Sequence, residues 1–242
     1  MRIYMTDAEQ TNKKGEIIYF DPCFLPNCQS DYFSPIFWQQ KNAIIGSAVG
    51  RGTTHFIQTE QHELVLRHYR RGGLIGKLLS DQYLYLGLES TRAFQEYNLL
   101  AKMNAMGLPA PTPVAYRIIK KGIYYQADLL TVKIANAQDI HHVLQNRALS
   151  EQEWKNIGKT IAQFHQQQIY HHDLNIHNIM LDDAGKIWLI DFDKCAEKAG
   201  ESWKQSNLER LLRSLNKETN KIDNYNFQQS DWLFLQAGYK NH

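Results

Sequence analysis

The sequence predicts an α+β fold, with a small antiparallel sheet and one main helix in the first half of the chain and a mainly helical second half. Two observations carry that expectation. Strand-like runs bounded by turn residues crowd between residues 43 and 130, whereas from residue 150 the apolar residues recur at helical spacing. The expected division is therefore 1–130 and 131–242, with 1–42 an irregular N-terminal extension and 43–130 a five-stranded sheet plus helix.

Residues 1–42 are aromatic and interrupted by Pro22, Pro26 and Pro35, which argues against any long element. "AIIGSAV", "THFIQT" and "HELVLRHY" then read as three consecutive strands, the first two joined by a glycine-bearing turn. In "ESTRAFQEYNLLAKMNAMG" the residues Phe94, Tyr97 and Leu100 fall on one helical face, and Gly107 followed by Pro109 marks the end. "VAYRIIKKGIYYQADLLT" is a strand pair turning at Lys121 and Gly122, which completes the five. Beyond it, Ser150 and Glu153 form a capping box ahead of Trp154, Ile157, Ile161, Phe164 and Gln168 on one face. "NIMLD" and "KIWLIDF" are short strands joined by the turn Asp182-Asp183-Ala184-Gly185, and "SWKQSNLERLLRSLNKE" and "DWLFLQAGY" are further helices.

With 242 residues and 43% hydrophobic content, the chain can bury a full core. A net charge of +2 gives no general support for nucleic-acid binding, so an anionic partner must meet a local patch. Cys23, Cys28 and Cys195 do not make a disulfide framework and point to a reducing, cytoplasmic setting. Cys23 and Cys28 as half of a zinc site lack a second cysteine pair. The N-terminus has no apolar run or cleavage site of a signal peptide, and no window reaches about 18 uninterrupted apolar residues, so no membrane span is expected.

Chemistry concentrates in "IYHHDLNIHNIMLDDAGKIWLIDFDKC", residues 169–195. Asp173 and Asn178 lie on a loop directly after a helix, and Asp191 ends a strand that turns back toward that loop. Three groups able to bind a metal or accept a proton thus meet at one edge of a hairpin. His171, His172 and His177 crowd the same loop, whereas structural zinc wants four ligands in tetrahedral disposition, usually from separate segments, so they are not read as a zinc site. His141 and His142 begin a helix and are assigned no role.

Here the sequence resembles the protein-kinase-like enzymes. "HHDLNIHN" is similar to the H-R-D-L-x-x-x-N catalytic loop and "DFD" to the D-F-G metal motif, in the same order and at the family's interval. The resemblance implies a two-lobed fold using ATP and Mg²⁺, with Asp173 as catalytic base, Asn178 and Asp191 as metal ligands, His171 propping the loop and Phe192 packed behind Asp191. The residue types suit that chemistry, because a hard cation on the β- and γ-phosphates takes oxygen ligands.

Such an enzyme also needs a phosphate-covering turn, a cation and a carboxylate to hold that cation in its first lobe. "VGRGTT" sits between two strands where the Gly-rich loop belongs, with Gly50 and Gly52 permitting close backbone approach to phosphate; alone, such a turn is equally a plain hairpin. Arg67 in "LVLR" stands where the family pattern has lysine, and Val65, on the same strand face, is placed to cover adenine. Glu96, on the helix, is the natural ionic partner. The bland alternatives are a solvated strand charge for Arg67 and an exposed helix carboxylate for Glu96. Departures from the pattern are Arg67 for lysine, His172 for the loop arginine and Asp193 for glycine. No A-P-E motif follows, and the helix near Trp203 begins soon after Asp193, which predicts a small-molecule, sugar or lipid-linked sugar acceptor and no control by phosphorylation of a long loop.

Together, "LVLRHYRRGG", "HHDLNIHNIMLD" and "LIDFDKC" closely resemble the lipopolysaccharide core kinases of Gram-negative bacteria, over roughly residues 40–215. That resemblance implies phosphorylation of the 4-hydroxyl of a Kdo (3-deoxy-D-manno-octulosonic acid) residue on a lipid A precursor, Kdo-lipid IVA, by a peripheral protein on the cytoplasmic side of the inner membrane. The basic and apolar segment 67–79, with Arg67, His68, Arg70, Arg71 and Lys77, suits an anionic lipid-anchored acceptor or the anionic membrane surface, with Arg70 and Arg71 as substrate contacts; it is equally an ordinary solvated loop. Neither nucleic acid nor an obligate protein partner is expected. The rival readings are another small-molecule or heptose kinase of the same fold, and a nucleotide-binding pseudokinase scaffold.

Overall fold

The structure is a computed structural model and describes residues 9–13, 15–49, 53–71 and 81–241. The chain forms two compact units, one of residues 1–102 with 111–133, the other of 103–110 with 134–242.

The first unit is built on an antiparallel sheet of β1 (Glu9–Lys13), β2 (Glu16–Phe20), β3 (Ile44–Val49), β4 (Thr53–Gln58), β5 (Glu63–His68), β6 (Tyr83–Leu84), β7 (Pro113–Lys121) and β8 (Tyr124–Val132). The order is β1-β2-β7-β8-β5-β4-β3, with β6 paired to the start of β8. Strands β3, β4 and β5 form the meander read from the sequence, and β7 and β8 turn at Gly122, whose φ of 61° favours glycine.

Residues 1–42 are not an irregular extension, and the sheet does not stop at five strands. "GEIIYF" supplies β2, which pairs with β7 and buries Ile18 and Phe20. Pro22 and Pro26 fall after that strand, and Pro35 takes the first turn of a short helix, α1 (Pro35–Gln40), so the prolines mark element ends and starts rather than abolish structure. Leu25, Phe33 and Trp38 share one core with Ile57, Leu64, Leu66 and Leu130 of the sheet.

Side-chain alternation along β5 sends Leu64 and Leu66 into that core and Arg67 to the opposite face. There α2 (Arg92–Ala105) brings Glu96 up to Arg67, and Tyr97 packs edge-on against Tyr19 and Tyr116 with ring centroids 5.4 and 5.3 Å away. Burial of this aromatic group raises the Tyr97 and Tyr116 hydroxyls far above the ordinary tyrosine range.

The second unit comprises β9 (Ala137–Asp139), α3 (Ile140–Asn146), α4 (Glu151–Gln166), β10 (Ile169–Tyr170), β11 (Ile179–Asp182), β12 (Ile187–Leu189), β13 (Ala196–Glu197), α5 (Ser202–Thr219) and α6 (Gln229–Lys240). The Ser150–Glu153 capping box starts α4, which buries Trp154, Ile157, Ile161 and Phe164. Gln168 does not continue that face: α4 ends at Gln166, and Gln168 adopts φ 58° in the turn to β10.

Helix α6 lies directly on α4. A Cβ on Gly158 would stand 2.0 Å from the Leu235 carbonyl oxygen, and one on Gly238 would stand 2.1 Å from that of Lys155. The two backbones therefore touch, which only glycine permits. Trp232 and Leu235 are buried by this packing, while Leu233 stays exposed.

Candidate active site

The hairpin of β11 and β12 and the loop before it fix Asp173, Asn178 and Asp191 within the second unit. Asn178 Nδ2 donates to the Asp173 carbonyl oxygen at 2.9 Å, which leaves Oδ1 as the metal-capable end of the amide. Ile190 N–H donates to the Asn178 carbonyl at 3.0 Å and ties the loop to the segment that delivers Asp191. Asp191 itself adopts φ 61°, a conformation that a short polar residue tolerates better than most. The following Phe192 is buried, stacked on Phe164 at 5.7 Å and tilted against His171 at 4.9 Å.

His171 is fully enclosed, and its Nε2 donates to the Ile190 carbonyl at 2.9 Å. Burial lowers its pKa, so the ring is neutral and this bond assigns the proton to Nε2. Cys195 adds a second stitch, because its Sγ lies 3.2 Å from the His172 N–H and its own N–H donates to the Phe192 carbonyl at 3.0 Å.

Below the loop runs a buried polar chain. Asn207 on α5 donates from Nδ2 to the His171 carbonyl at 2.7 Å, so its Oδ1 is left to accept from His165 Nε2 at 3.1 Å. The Tyr239 hydroxyl then donates to His165 Nδ1 at 2.8 Å. Burial drives His165 down to about 4, which keeps it neutral in this chain of bonds. Every link has a partner, as a buried polar network requires.

Arg210, one turn along α5 from Asn207, meets Asp173: its Nε donates to Asp173 Oδ1 at 3.1 Å, and its Nη2 bonds the same oxygen. Both side chains reach solvent. The carboxylate is thus oriented by a cation yet accessible to an acceptor, an arrangement that can take up a proton from a hydroxyl.

In the first unit, Arg67 Nη2 bonds Glu96 Oε2, and the Tyr69 hydroxyl donates to the same oxygen at 2.6 Å. Glu96 is buried, which rules out an exposed helix carboxylate, and the Arg67 guanidinium also lies over the Tyr69 ring at 4.8 Å. Val65 pairs with Phe56 on β4 and Thr131 on β8. Gly50 and Gly52 lie outside the described residues, as does Lys77.

In the described part of the basic segment 67–79 the cations differ in their surroundings. His68 is held between Asp128, 2.7 Å from Nδ1, and Asp81, 3.2 Å from Nε2, and the Asp128 hydrogen bond raises its pKa despite burial. Asp128 also takes a 2.9 Å ion pair from Arg117. Arg71 donates from Nε to the Gln82 carbonyl at 2.7 Å and covers the Tyr83 ring, and Arg70 is exposed. His68 and Arg67 are thus paired with carboxylates within the fold, whereas Arg70 and Arg71 meet none in the contacts above.

Four residues with clear places in these arrangements escape a reading of the motifs: Tyr69, His165, Asn207 and Arg210. Asn207 leaves a trace, a polar residue on the stripe of α5 that buries Trp203, Leu208, Leu211 and Leu215. Arg210 leaves none, because it is an ordinary exposed helix residue until Asp173 is placed beside it.

The model of the lipopolysaccharide kinase (Kdo/WaaP) family matches residues 36–239. A "3-deoxy-D-manno-octulosonic acid kinase" of Haemophilus influenzae (strain PittEE) is 49% identical over 238 residues, 95% of this chain and 98% of its own. Its counterpart from Vibrio cholerae serotype O1 is 47% identical over 207 residues, 86% of this chain and 88% of its own. The chain is also similar, with a TM-score of 0.47 and 13% identity over 82% of its length and 45% of the other, to the solved co-crystal structure of WbdD and kinase inhibitor LY294002.

Proposed function

The chain belongs to the lipopolysaccharide kinase (Kdo/WaaP) family, and from that premise we propose that it transfers the γ-phosphate of ATP to the 4-hydroxyl of a Kdo residue on a lipid A precursor. As a family member it is a phosphotransferase acting on a hydroxyl group. The observation that carries the finer reading is the set Asp173, Asn178 and Asp191, held on one hydrogen-bonded loop and hairpin in a chain nearly half identical, over almost its full length, to a relative named for this sugar.

Asp173 would receive the acceptor hydroxyl proton while Arg210 holds the carboxylate in place. The acceptor oxygen then forms a bond to the γ-phosphorus as the bond from that phosphorus to the β,γ-bridging oxygen breaks, and ADP departs. Asn178 Oδ1 and the Asp191 carboxylate are the oxygen donors that suit Mg²⁺, which when bound neutralises charge on the β- and γ-phosphates. In the first unit, Arg67 anchored by Glu96 would grip the α- and β-phosphates, Val65 would cover adenine, and Gly50 and Gly52 would let backbone approach the phosphates. Arg70 and Arg71 are the proposed contacts for the acceptor's carboxylate or phosphates.

A peripheral place on the cytoplasmic side of the inner membrane fits this acceptor. Among the described residues no helix is long and apolar enough to cross a membrane. Leu84, Leu86 and Ile123 stand exposed where β6 meets β8, beside the exposed Lys120 and Lys121, a mixture that suits an anionic lipid surface.

Transfer of labelled γ-phosphate to a Kdo-bearing lipid A precursor tests the reading, with a heptose-bearing acceptor and a generic protein alongside. Labelling of the Kdo lipid alone, reduced about 10²- to 10⁴-fold in Asp173→Ala, is the expected result. Preference for the heptose acceptor would replace the sugar, and an unimpaired Asp173→Ala would remove Asp173 as the base.

A further inference from the structure

Away from the groups assigned to phosphoryl transfer, three side chains from distant parts of the second unit come together. They are His141 at the start of α3, His177 in the turn after Asp173, and Glu218 at the end of α5. One ligand-capable atom from each lies within 4.8 Å of the other two, and His177 Nε2 is 3.7 Å from Glu218 Oε1. We propose that His141, His177 and Glu218 form a binding site for a borderline divalent cation of the zinc class, which fastens the loop bearing Asn178 to α3 and α5.

The donor set selects that class. Two imidazoles and a carboxylate suit zinc and its first-row neighbours, whereas Mg²⁺ and Ca²⁺ prefer oxygen alone. Tetrahedral ligand atoms about 2.0–2.1 Å from zinc are about 3.3 Å apart, so the His177–Glu218 pair at 3.7 Å is near its bound spacing, and His141, within 4.8 Å, must close by no more than about 1.5 Å. The imidazole rings already lie 4.2 Å apart between centroids.

The surroundings match a metal's needs in two further respects. The Tyr225 hydroxyl sits 3.2 Å from His141 Nδ1, the kind of outer partner that fixes a ligating imidazole. The His177 backbone is held by an N–H bond to Asn175 Oδ1 at 2.9 Å. Burial and the neighbouring His177 lower the pKa of His141, which favours the neutral form a metal needs.

Two groups compete with the cation. Lys221 Nζ is 3.2 Å from Glu218 Oε1, and Gln145 Nε2 is 3.3 Å from His141 Nε2. Both belong to exposed residues that can swing out to solvent, so the competition weakens binding without blocking it. With His177 exposed, the fourth position is open to water.

The test uses the full chain stripped with a chelator, then titrated with Zn²⁺ or Co²⁺. One equivalent bound, a Tm rise of about 5 °C at a hundred times the dissociation constant, and visible Co²⁺ bands of a tetrahedral site are expected, with no displacement by millimolar Mg²⁺. All three should vanish in the double variant His141→Ala/His177→Ala and weaken at least tenfold in Glu218→Gln, while metal-free melting of Glu218→Gln checks that its fold is intact. No stoichiometric binding to the parent chain, or undiminished binding in both variants, overturns the site. None of these readouts involves phosphoryl transfer.

Discussion

Each unit carries one arginine–carboxylate pair at its candidate functional surface, and the two pairs differ in how deeply the carboxylate is set. In the first, Glu96 is 4% exposed and Arg67 24%; in the second, Asp173 is 28% exposed and Arg210 45%. A sealed carboxylate cannot meet a substrate, so in the proposed function Glu96 would be the anchor and Arg67 the group that reaches outward. As the proposed base, Asp173 would have to meet an acceptor; its arginine holds it from the solvent side, and its backbone carbonyl is held by the Asn178 amide. On the proposed reading the same ionic contact serves opposite ends, and the depth at which the carboxylate is set separates the two cases.

Glu96→Gln is the sharpest way to break this contrast. It keeps the shape and a hydrogen-bonding oxygen but removes the charge that orients Arg67. A charge-assisted bond is worth about 1.5–3 kcal/mol, so kcat/KM for ATP is expected to fall about 10- to 100-fold. Arg67→Lys should recover only part of the parent's efficiency, because a point charge cannot replace a fork shared between Glu96 and phosphate. If Glu96→Gln leaves ATP kinetics unchanged in steady-state assays, the first pair is merely structural and the contrast collapses.

A second difference lies beneath the pairs. The loop of Asp173 rests on neutral His165, bonded to Asn207 and Tyr239. Its pKa is about 4 in the fold against 6.5 for the free side chain, because burial disfavours the charged ring. Between those values the unfolded chain binds a proton that the folded chain refuses, so stability is full above about pH 6.5 and declines as pH falls toward 4, by up to about 3 kcal/mol. Urea unfolding across this pH interval, followed by tryptophan fluorescence to which Trp203 contributes from its place 4.9 Å from the His165 ring, reads this. His165→Gln should flatten the slope over this interval, and an unchanged slope would remove His165 as its source.

How much of this was legible follows from where the information sits in the chain. The segments proposed as catalytic loop and metal motif occupy one continuous stretch, and turn chemistry alone places Asp173, Asn178 and Asp191 around a hairpin. The capping box of α4 and the turn at Gly122 are equally local. By contrast, Glu96 could be paired with Arg67 only by assuming a fold, and nothing local distinguishes a buried carboxylate from a solvated one. The N-terminal strand β2 was missed because its short run is followed by prolines, and its partner β7 lies far along the chain. His68 was read as available charge because its partners, Asp81 and Asp128, come from other elements. Likewise, His141 and Glu218 acquire meaning only beside His177.

The smallest effect concerns Arg210 and decides what the second pair is for. An exposed ion pair contributes about 0.2–1 kcal/mol, so Arg210→Ala should barely change stability. If Arg210 acts by aiming Asp173, kcat should fall up to about tenfold with the KM for ATP unchanged, and Arg210→Lys should recover most of it. If it instead grips an anionic part of the acceptor, the acceptor KM should rise while kcat at saturation holds. The two outcomes separate cleanly because a defect at the proposed base persists at saturating acceptor, whereas a defect in acceptor binding saturates away. A fall in kcat would keep both pairs as arginine–carboxylate devices of opposite polarity; a rise in acceptor KM alone would make Arg210, like Arg67, a cation that reaches outward for substrate.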